Sequence, residues 1–126
     1  MSEENPWKTK SVTTTYENPW IKVEHHDVLN PAGNPGIYGT VSFKNRAVGV
    51  VPIADNGDTW LVGQYRFPLQ EYHWEIPMGG APKGESPEDC ALRELREESG
   101  LIAESLIPIG RVHLSNCITD EEGLLF

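Results

Sequence analysis

The sequence predicts a mixed α+β fold, and three observations carry the prediction. The segment from Ser86 to Gly100 has both ends of a helix written into it. Before it lie several short runs that are β-branched or that alternate apolar with polar residues. Turns rich in glycine, proline and asparagine separate those runs.

Taken in order, residues 1–10 (MSEENPWKTK) look frayed. Ser11–Tyr16 (SVTTTY) is rich in β-branched residues, and Ile21–Val28 (IKVEHHDV) alternates roughly as a half-buried strand should. Pro31–Gly36 reads as a turn, and Ile37–Phe43 (IYGTVSF) as the returning strand. Residues 1–45 are therefore expected to form an N-terminal antiparallel β segment, and 46–126 a second domain. Ala47–Ala54 (AVGVVPIA) is nearly continuous apolar, as for a strand buried on both faces. The Asp55-Asn56-Gly57-Asp58 turn would join it to Thr59–Tyr65 (TWLVGQY) in a hairpin. Trp74–Met78 reads as a short strand that delivers the glycine-rich loop MGGAPKGE.

The helix is legible residue by residue. Ser86 is a good N-cap, Pro87 occupies the first helical position, and Asp89 stands where a capping-box partner belongs. Glu88 and Asp89 favour the positive end of the macrodipole, and Gly100 is a left-handed C-cap. Ala91, Leu92 and Leu95 are expected to form the apolar stripe. Beyond the helix, Ser105–Val112 (SLIPIGRV) reads as a strand, with Pro108 marking an edge or bulge. Leu124-Leu125-Phe126 looks like the opening of another strand, so a fold that continues past it is expected.

The same helix carries the chemistry. Glu94, Glu97 and Glu98 stand at i, i+3 and i+4, which places three carboxylates on one face. Like charges so placed destabilise a bare helix, and a divalent cation would compensate them; all-oxygen sites suit Mg²⁺ or Mn²⁺. By itself RELREES reads as a solvated face with an Arg93–Glu97 pair. The longer pattern does not: Gly79, five residues, Glu85, seven residues, then Arg93-Glu94-Leu95-Arg96-Glu97-Glu98-Ser99-Gly100-Leu101. Seven fixed residue types coincide by chance on the order of 10⁻⁹ per start position.

At every defined position this segment is similar to the Nudix box, the motif of hydrolases acting on nucleoside diphosphates linked to another moiety. The box covers 23 of 126 residues. The rest resembles more loosely the branch that contains ADP-ribose pyrophosphatases. Gln64-Tyr65-Arg66, WEIPMGG running into the box and Ser115–Glu121 after it carry that part. The resemblance implies a Nudix-type α/β/α sandwich with a mixed sheet, residues 46–126 being the hydrolase domain and the N-terminal segment contributing to a homodimer. It implies that Glu94, Glu97 and Glu98 hold the metal, helped by the Met78 carbonyl. Arg93 and Glu85 would position the loop and the other carboxylates, Arg66 and Glu75 would contact substrate, and Glu121 would lie near the reacting phosphate. The general base would be Glu97, Glu98 or a residue downstream. Asn116 stands where many ADP-ribose pyrophosphatases have proline, so other nucleotide sugars stay in the expected substrate class beside ADP-ribose.

Composition narrows the classes further. With 38% apolar and 23% charged residues the chain is long enough for a single hydrophobic core. It has no run of about 18 apolar residues, and MSEENPWKTK lacks a signal-peptide core, so a cytoplasmic protein without a membrane span is expected. Cys90 and Cys117 are read as ordinary small residues in a reducing compartment. The net charge of −9 argues against a nucleic-acid polymer as partner. A small nucleotide is still compatible, because bound metal reverses the local sign. His25, His26, His73 and His113 show no ligand spacing, and Trp7, Trp20, Trp60 and Trp74 read as core or interface packing, with base stacking a lesser option for Tyr72 and Trp74. A Nudix fold that binds without cleaving is the rival reading; the intact box disfavours it. An isomerase of the same fold would need a catalytic cysteine and an altered box.

Overall fold

The computed structural model describes residues 3–126. The chain forms two compact units. One holds the chain up to Lys44 with Ser115–Glu121; the other holds Asn45–Leu114 and Glu122–Phe126.

In the first unit β1 (Lys8–Glu17), β2 (Ile21–Leu29) and β3 (Pro35–Phe43) form an antiparallel sheet in that order. Asparagine chemistry makes both turns. The Asn18 side-chain oxygen accepts from the N–H groups of Trp20 and Ile21, each at 2.8 Å, and Asn30 does the same for Ala32 and Asn34. Gly33 takes the left-handed conformation that the second turn needs, φ 84°. The expected fraying is corrected from Lys8 onward, because Lys8 and Thr9 pair with Leu29 and Val28; residues 1 and 2 lie outside the described residues. The segment 115–121 is tied to β3, with Val41 N–H donating to the Ile118 carbonyl and Phe43 N–H to Asp120 Oδ1.

In the second unit β4 (Arg46–Gly49), β7 (Met78–Ala81), β8 (Gly110–His113) and β9 (Glu122–Leu125) form a mixed sheet of order β7-β4-β9-β8, with β4 and β9 parallel. β5 (Val62–Arg66) and β6 (Glu71–Glu75) form a separate antiparallel pair, and α1 (Pro87–Ser99) is the helix among the described residues. The α+β class holds, with an N-terminal antiparallel sheet and a mixed sheet. The core gathers Val48, Val50, Ala81, Cys90, Ala91, Leu95 and Phe126, so α1 packs on β4 and β7.

The helix ends match their local signals. Ser86 Oγ accepts from Asp89 N–H at 3.0 Å while its hydroxyl donates to Asp89 Oδ2 at 2.8 Å. Gly100 closes the helix at φ 74°, its N–H bonded to the Arg96 carbonyl. The apolar stripe differs by one residue: Cys90, Ala91 and Leu95 are buried, and Leu92 is 42% exposed. At about 100° per residue, Leu92 falls outside the arc that the other three define.

Several strand expectations are also corrected. Ala47–Ala54 is strand only up to Gly49, and Ile53 keeps a single bridge to Thr59 across the Asp55–Asp58 turn. β5 pairs instead with β6. Pro77 has no N–H to give a ladder, and the run Trp74–Met78 splits there between β6 and β7. In Ser105–Val112 only Gly110–Val112 is strand. No helix of the described residues is long and apolar enough to cross a membrane.

Candidate active site

The strand β7 and the helix α1 bring the sequence-predicted box residues together. Glu94 falls within the buried arc of α1, where a carboxylate needs room. Gly79 provides it, since a Cβ at that position would overlap the Glu94 carboxylate. The glycine that opens the motif is therefore a cradle for its first helical glutamate.

Arg93 is the hub. Its guanidinium donates to Glu85 twice, Nε to Oε1 at 2.8 Å and Nη2 to Oε2 at 2.9 Å. Nη1 reaches Glu94 Oε1 at 2.7 Å and Glu97 Oε2 at 3.3 Å, and Nη2 reaches the Gly80 carbonyl at 3.4 Å. Three carboxylates and a β7 carbonyl thus converge on one planar donor, which suits arginine's fixed fork. The Glu85 and Glu94 hydrogen bonds hold the Arg93 pKa above its ordinary value, and Arg93 holds Glu85 below the usual carboxylate range. The i, i+4 pair of Arg93 with Glu97 is present, as one spoke of the larger network.

Glu98 is held differently. Its Oε2 accepts the Met78 N–H at 3.0 Å. Burial pushes its carboxyl pKa up, the Met78 hydrogen bond opposes this, and the Glu94 charge adds to the rise. Met78 was expected to act through its carbonyl; the contact present here is through its N–H.

Arg66 and Glu75 bind each other. Arg66 Nε lies 2.9 and 3.1 Å from the two carboxylate oxygens, and Nη2 lies 2.5 Å from Oε2. The pair holds Glu75 below the usual carboxylate range and raises Arg66, which also feels the Glu98 charge. The register sets Gln64 opposite His73 and Arg66 opposite Glu71, so Arg66 reaches Glu75 along the hairpin rather than straight across. The sequence does not signal this pairing, since the hairpin register alone would match Arg66 with Glu71. Glu121 belongs to the 115–121 segment of the first unit, with its N–H bonded to Thr119 Oγ1 at 3.3 Å.

A cleft of 630 Å³ in the second unit is lined by Val50, Trp60, Leu95, Leu106 and Phe126 among others, and by none of the box glutamates. Its apolar lining makes it a poor anion site. The box surface is the better candidate on chemistry.

The donor set fits a hard divalent cation: three carboxylates on one helical face. Gly79 leaves room for the innermost carboxylate. As the side chains stand, no three His, Cys, Asp or Glu groups among the described residues converge closely enough to hold an ion. Arg93 takes up Glu94 and Glu97, and the Met78 N–H takes up Glu98. Converging on an ion would require those side chains to turn about their own torsions, within reach of a long flexible glutamate.

The NUDIX domain family model matches residues 43–122, and the nucleoside diphosphate sugar hydrolase N-terminal domain model matches residues 7–41. The chain is 44% identical over 75 residues to the ADP-ribose pyrophosphatase of Bacillus subtilis (strain 168), covering 60% of this chain and 40% of that protein. It is 37% identical over 98 residues to the ADP-sugar pyrophosphatase of Mus musculus, covering 70% and 45%. A Methanol dehydrogenase activator of Bacillus methanolicus is 36% identical over 106 residues, covering 84% and 55%. The chain thus spans about half the length of these curated relatives. A solved ADP compounds hydrolase superposes with a TM-score of 0.87 at 23% identity, covering 99% of this chain and 68% of the other, which is a likeness of fold. With the family model covering most of its length and the Gly79–Leu101 box complete, this chain belongs to the Nudix family.

Proposed function

We propose that this chain carries the catalytic box of a metal-dependent pyrophosphohydrolase. Its substrate is a nucleoside diphosphate linked to another moiety, ADP-ribose or another nucleotide sugar, and its products are a nucleoside monophosphate and a sugar phosphate. The observation that carries the reading is the set of three glutamates on one helical face, two of them held by Arg93 and the third by the Met78 N–H, with Gly79 making room for Glu94. The names of the ADP-ribose and ADP-sugar pyrophosphatases it resembles support the substrate class.

Glu94, Glu97 and Glu98 would hold the cation, Mg²⁺ or Mn²⁺, with the Met78 carbonyl as a further oxygen. When bound, such a cation offsets the charge of the diphosphate and lowers the pKa of a coordinated water. The chain's own residues do the rest. Arg93 and Glu85 keep the glycine-rich loop against α1, so that the carboxylates present one surface. A box carboxylate, Glu97 or Glu98, or one further along the chain, accepts the proton of the attacking water. Arg66 and Glu75 would meet the substrate's polar groups, and Glu121 would act near the reacting phosphate.

The test incubates the protein with Mg²⁺ and a panel of nucleotide sugars and identifies the phosphate products. Glu98→Gln should lower turnover by about 10²–10⁴-fold while the thermal melt stays unchanged. Near-normal turnover in that variant removes Glu98 from the mechanism. A second reading, a Nudix fold that binds a nucleotide without cleaving it, is favoured by the engagement of Glu94 and Glu97 with Arg93. Calorimetric binding of ADP-ribose with no product from any sugar would decide for that reading.

A further inference from the structure

Buried polar atoms in a folded chain are paired, and one that is not needs a physical reason. Among the described residues His73 Nε2 is such an atom, closed to solvent and without a hydrogen-bond partner. Glu71 Oε2 stands 3.3 Å away, but the approach lacks the alignment of a hydrogen bond. Gln64, directly opposite His73 in register, turns its amide N–H to Glu75 at 3.5 Å instead. The His73 side chain as a whole is 36% exposed, so the ring itself is not sealed in the core.

The place of this atom on the hairpin indicates its use. Residues opposite in register share a face, as do alternate residues along a strand. Val62, Gln64, Arg66, Glu71, His73 and Glu75 therefore line one face of the β5–β6 hairpin in three rows. Arg66 starts opposite Glu71 and reaches Glu75, so its side chain runs past the His73 row. Arg66 and Glu75 are both close enough to Glu98 to feel its charge, which marks the Glu75 end of the face as the box end. His73 lies one row further from the box, about 7 Å along β6.

We propose, resting on the function given above, that His73 Nε2 is a specificity contact that hydrogen-bonds a sugar hydroxyl of the nucleotide substrate. That function sets the diphosphate at the box glutamates, where Arg66 is the cation within reach of a phosphate oxygen. A step of about 7 Å outward passes from a phosphate to the sugar esterified to it. An imidazole nitrogen donates or accepts according to tautomer, and a hydroxyl can do either, so the two match. The neighbouring Glu71 carboxylate would repel a second anion there. Access costs little, because Glu71 is 69% exposed and can turn into solvent as the hydroxyl takes its place. A nitrogen left unpaired by folding discriminates against any ligand that lacks the hydroxyl.

Steady-state hydrolysis of ADP-ribose in Mg²⁺ gives the first test. His73→Ala raises KM about 10-fold, the value of one hydrogen bond, while kcat moves by less than about threefold. His73→Gln, whose amide reaches about as far as Nε2, recovers most of the loss. NMR on the wild type reads binding without turnover. AMP and ribose 5-phosphate, the two products, each carry one ribose. The product that shifts the His73 ring-nitrogen signals, and that binds about 10-fold more weakly to His73→Ala, carries the hydroxyl. The two titrations thus separate the nucleoside ribose from the linked sugar. Ring signals unmoved by both products, or an unchanged KM in His73→Ala, overturn the proposal and leave the hydrolase reading standing. Shifted ring signals with no turnover overturn the hydrolase reading and leave the contact standing.

Discussion

Gly79→Ala separates the site from the fold. The added methyl would overlap the Glu94 carboxylate, so one of the two has to move. Gly79 is not among the glycines with positive φ, so alanine is compatible with its backbone. The atoms in the way are the far end of a flexible side chain. Glu94 can therefore swing aside at the cost of its 2.7 Å contact with Arg93 Nη1, while the β4–β7 pairing of Val48 with Gly79 persists. Stability should fall by about 1 kcal/mol or less, the low end of what overpacking costs. Turnover should fall by about 10²-fold, because displacing a catalytic group by about 1 Å costs that much. The assay is hydrolysis of a nucleotide sugar as Mg²⁺ is varied, beside a thermal melt of the same preparation. Turnover within threefold of wild type would show that the position of Glu94 does not matter to the reaction. A melting point lower by 10 °C or more, roughly 2 kcal/mol for a domain of this size, would show that Glu94 is not free to move.

Leu95→Ala empties a buried site facing the sheet and should cost about 2–5 kcal/mol by urea melts. Ser86→Ala removes the acceptor for Asp89 N–H and should cost about 1 kcal/mol, read as a lower urea midpoint with an unchanged slope. The Arg66–Glu75 pair gives a pH dependence. Arg66 holds the folded Glu75 pKa below its unfolded value near 4.3, so the contribution is complete above about pH 4.3 and is lost as pH falls through the lower folded value. Stability measured from pH 6 to pH 3 should therefore fall less steeply in Glu75→Gln than in wild type, and equal slopes would show that the pair carries no linkage.

Short-range physics made the helix and the motif readable from the residues alone. A serine cap, an N1 proline and a left-handed glycine act within a few residues of themselves, and each is present as expected. The i, i+3, i+4 spacing of Glu94, Glu97 and Glu98 is a property of any α-helix, so their shared face needed no tertiary information. β-branched and alternating runs likewise marked β1, β2 and β3 to within a few residues, Lys8–Thr9 excepted. Their pairing with β2 depends on a partner rather than on their own preference.

Pairing and orientation were decided only by the tertiary structure. An apolar run such as AVGVVPIA cannot say which strand it will join, and β4 lies between β7 and β9, distant in sequence from both. Val62–Arg66 could have joined the run before it or the run after it, and local alternation is equally satisfied by either. The partners of the charges were hidden for the same reason. Arg93 has a carboxylate four residues along its own helix, yet its two-point contact with Glu85 depends on how the β7–α1 loop is laid against the helix. The residues specify which groups can interact, because propensity and spacing are local. Which of them meet is settled by the closure of long loops around a shared core, an event no window of sequence contains.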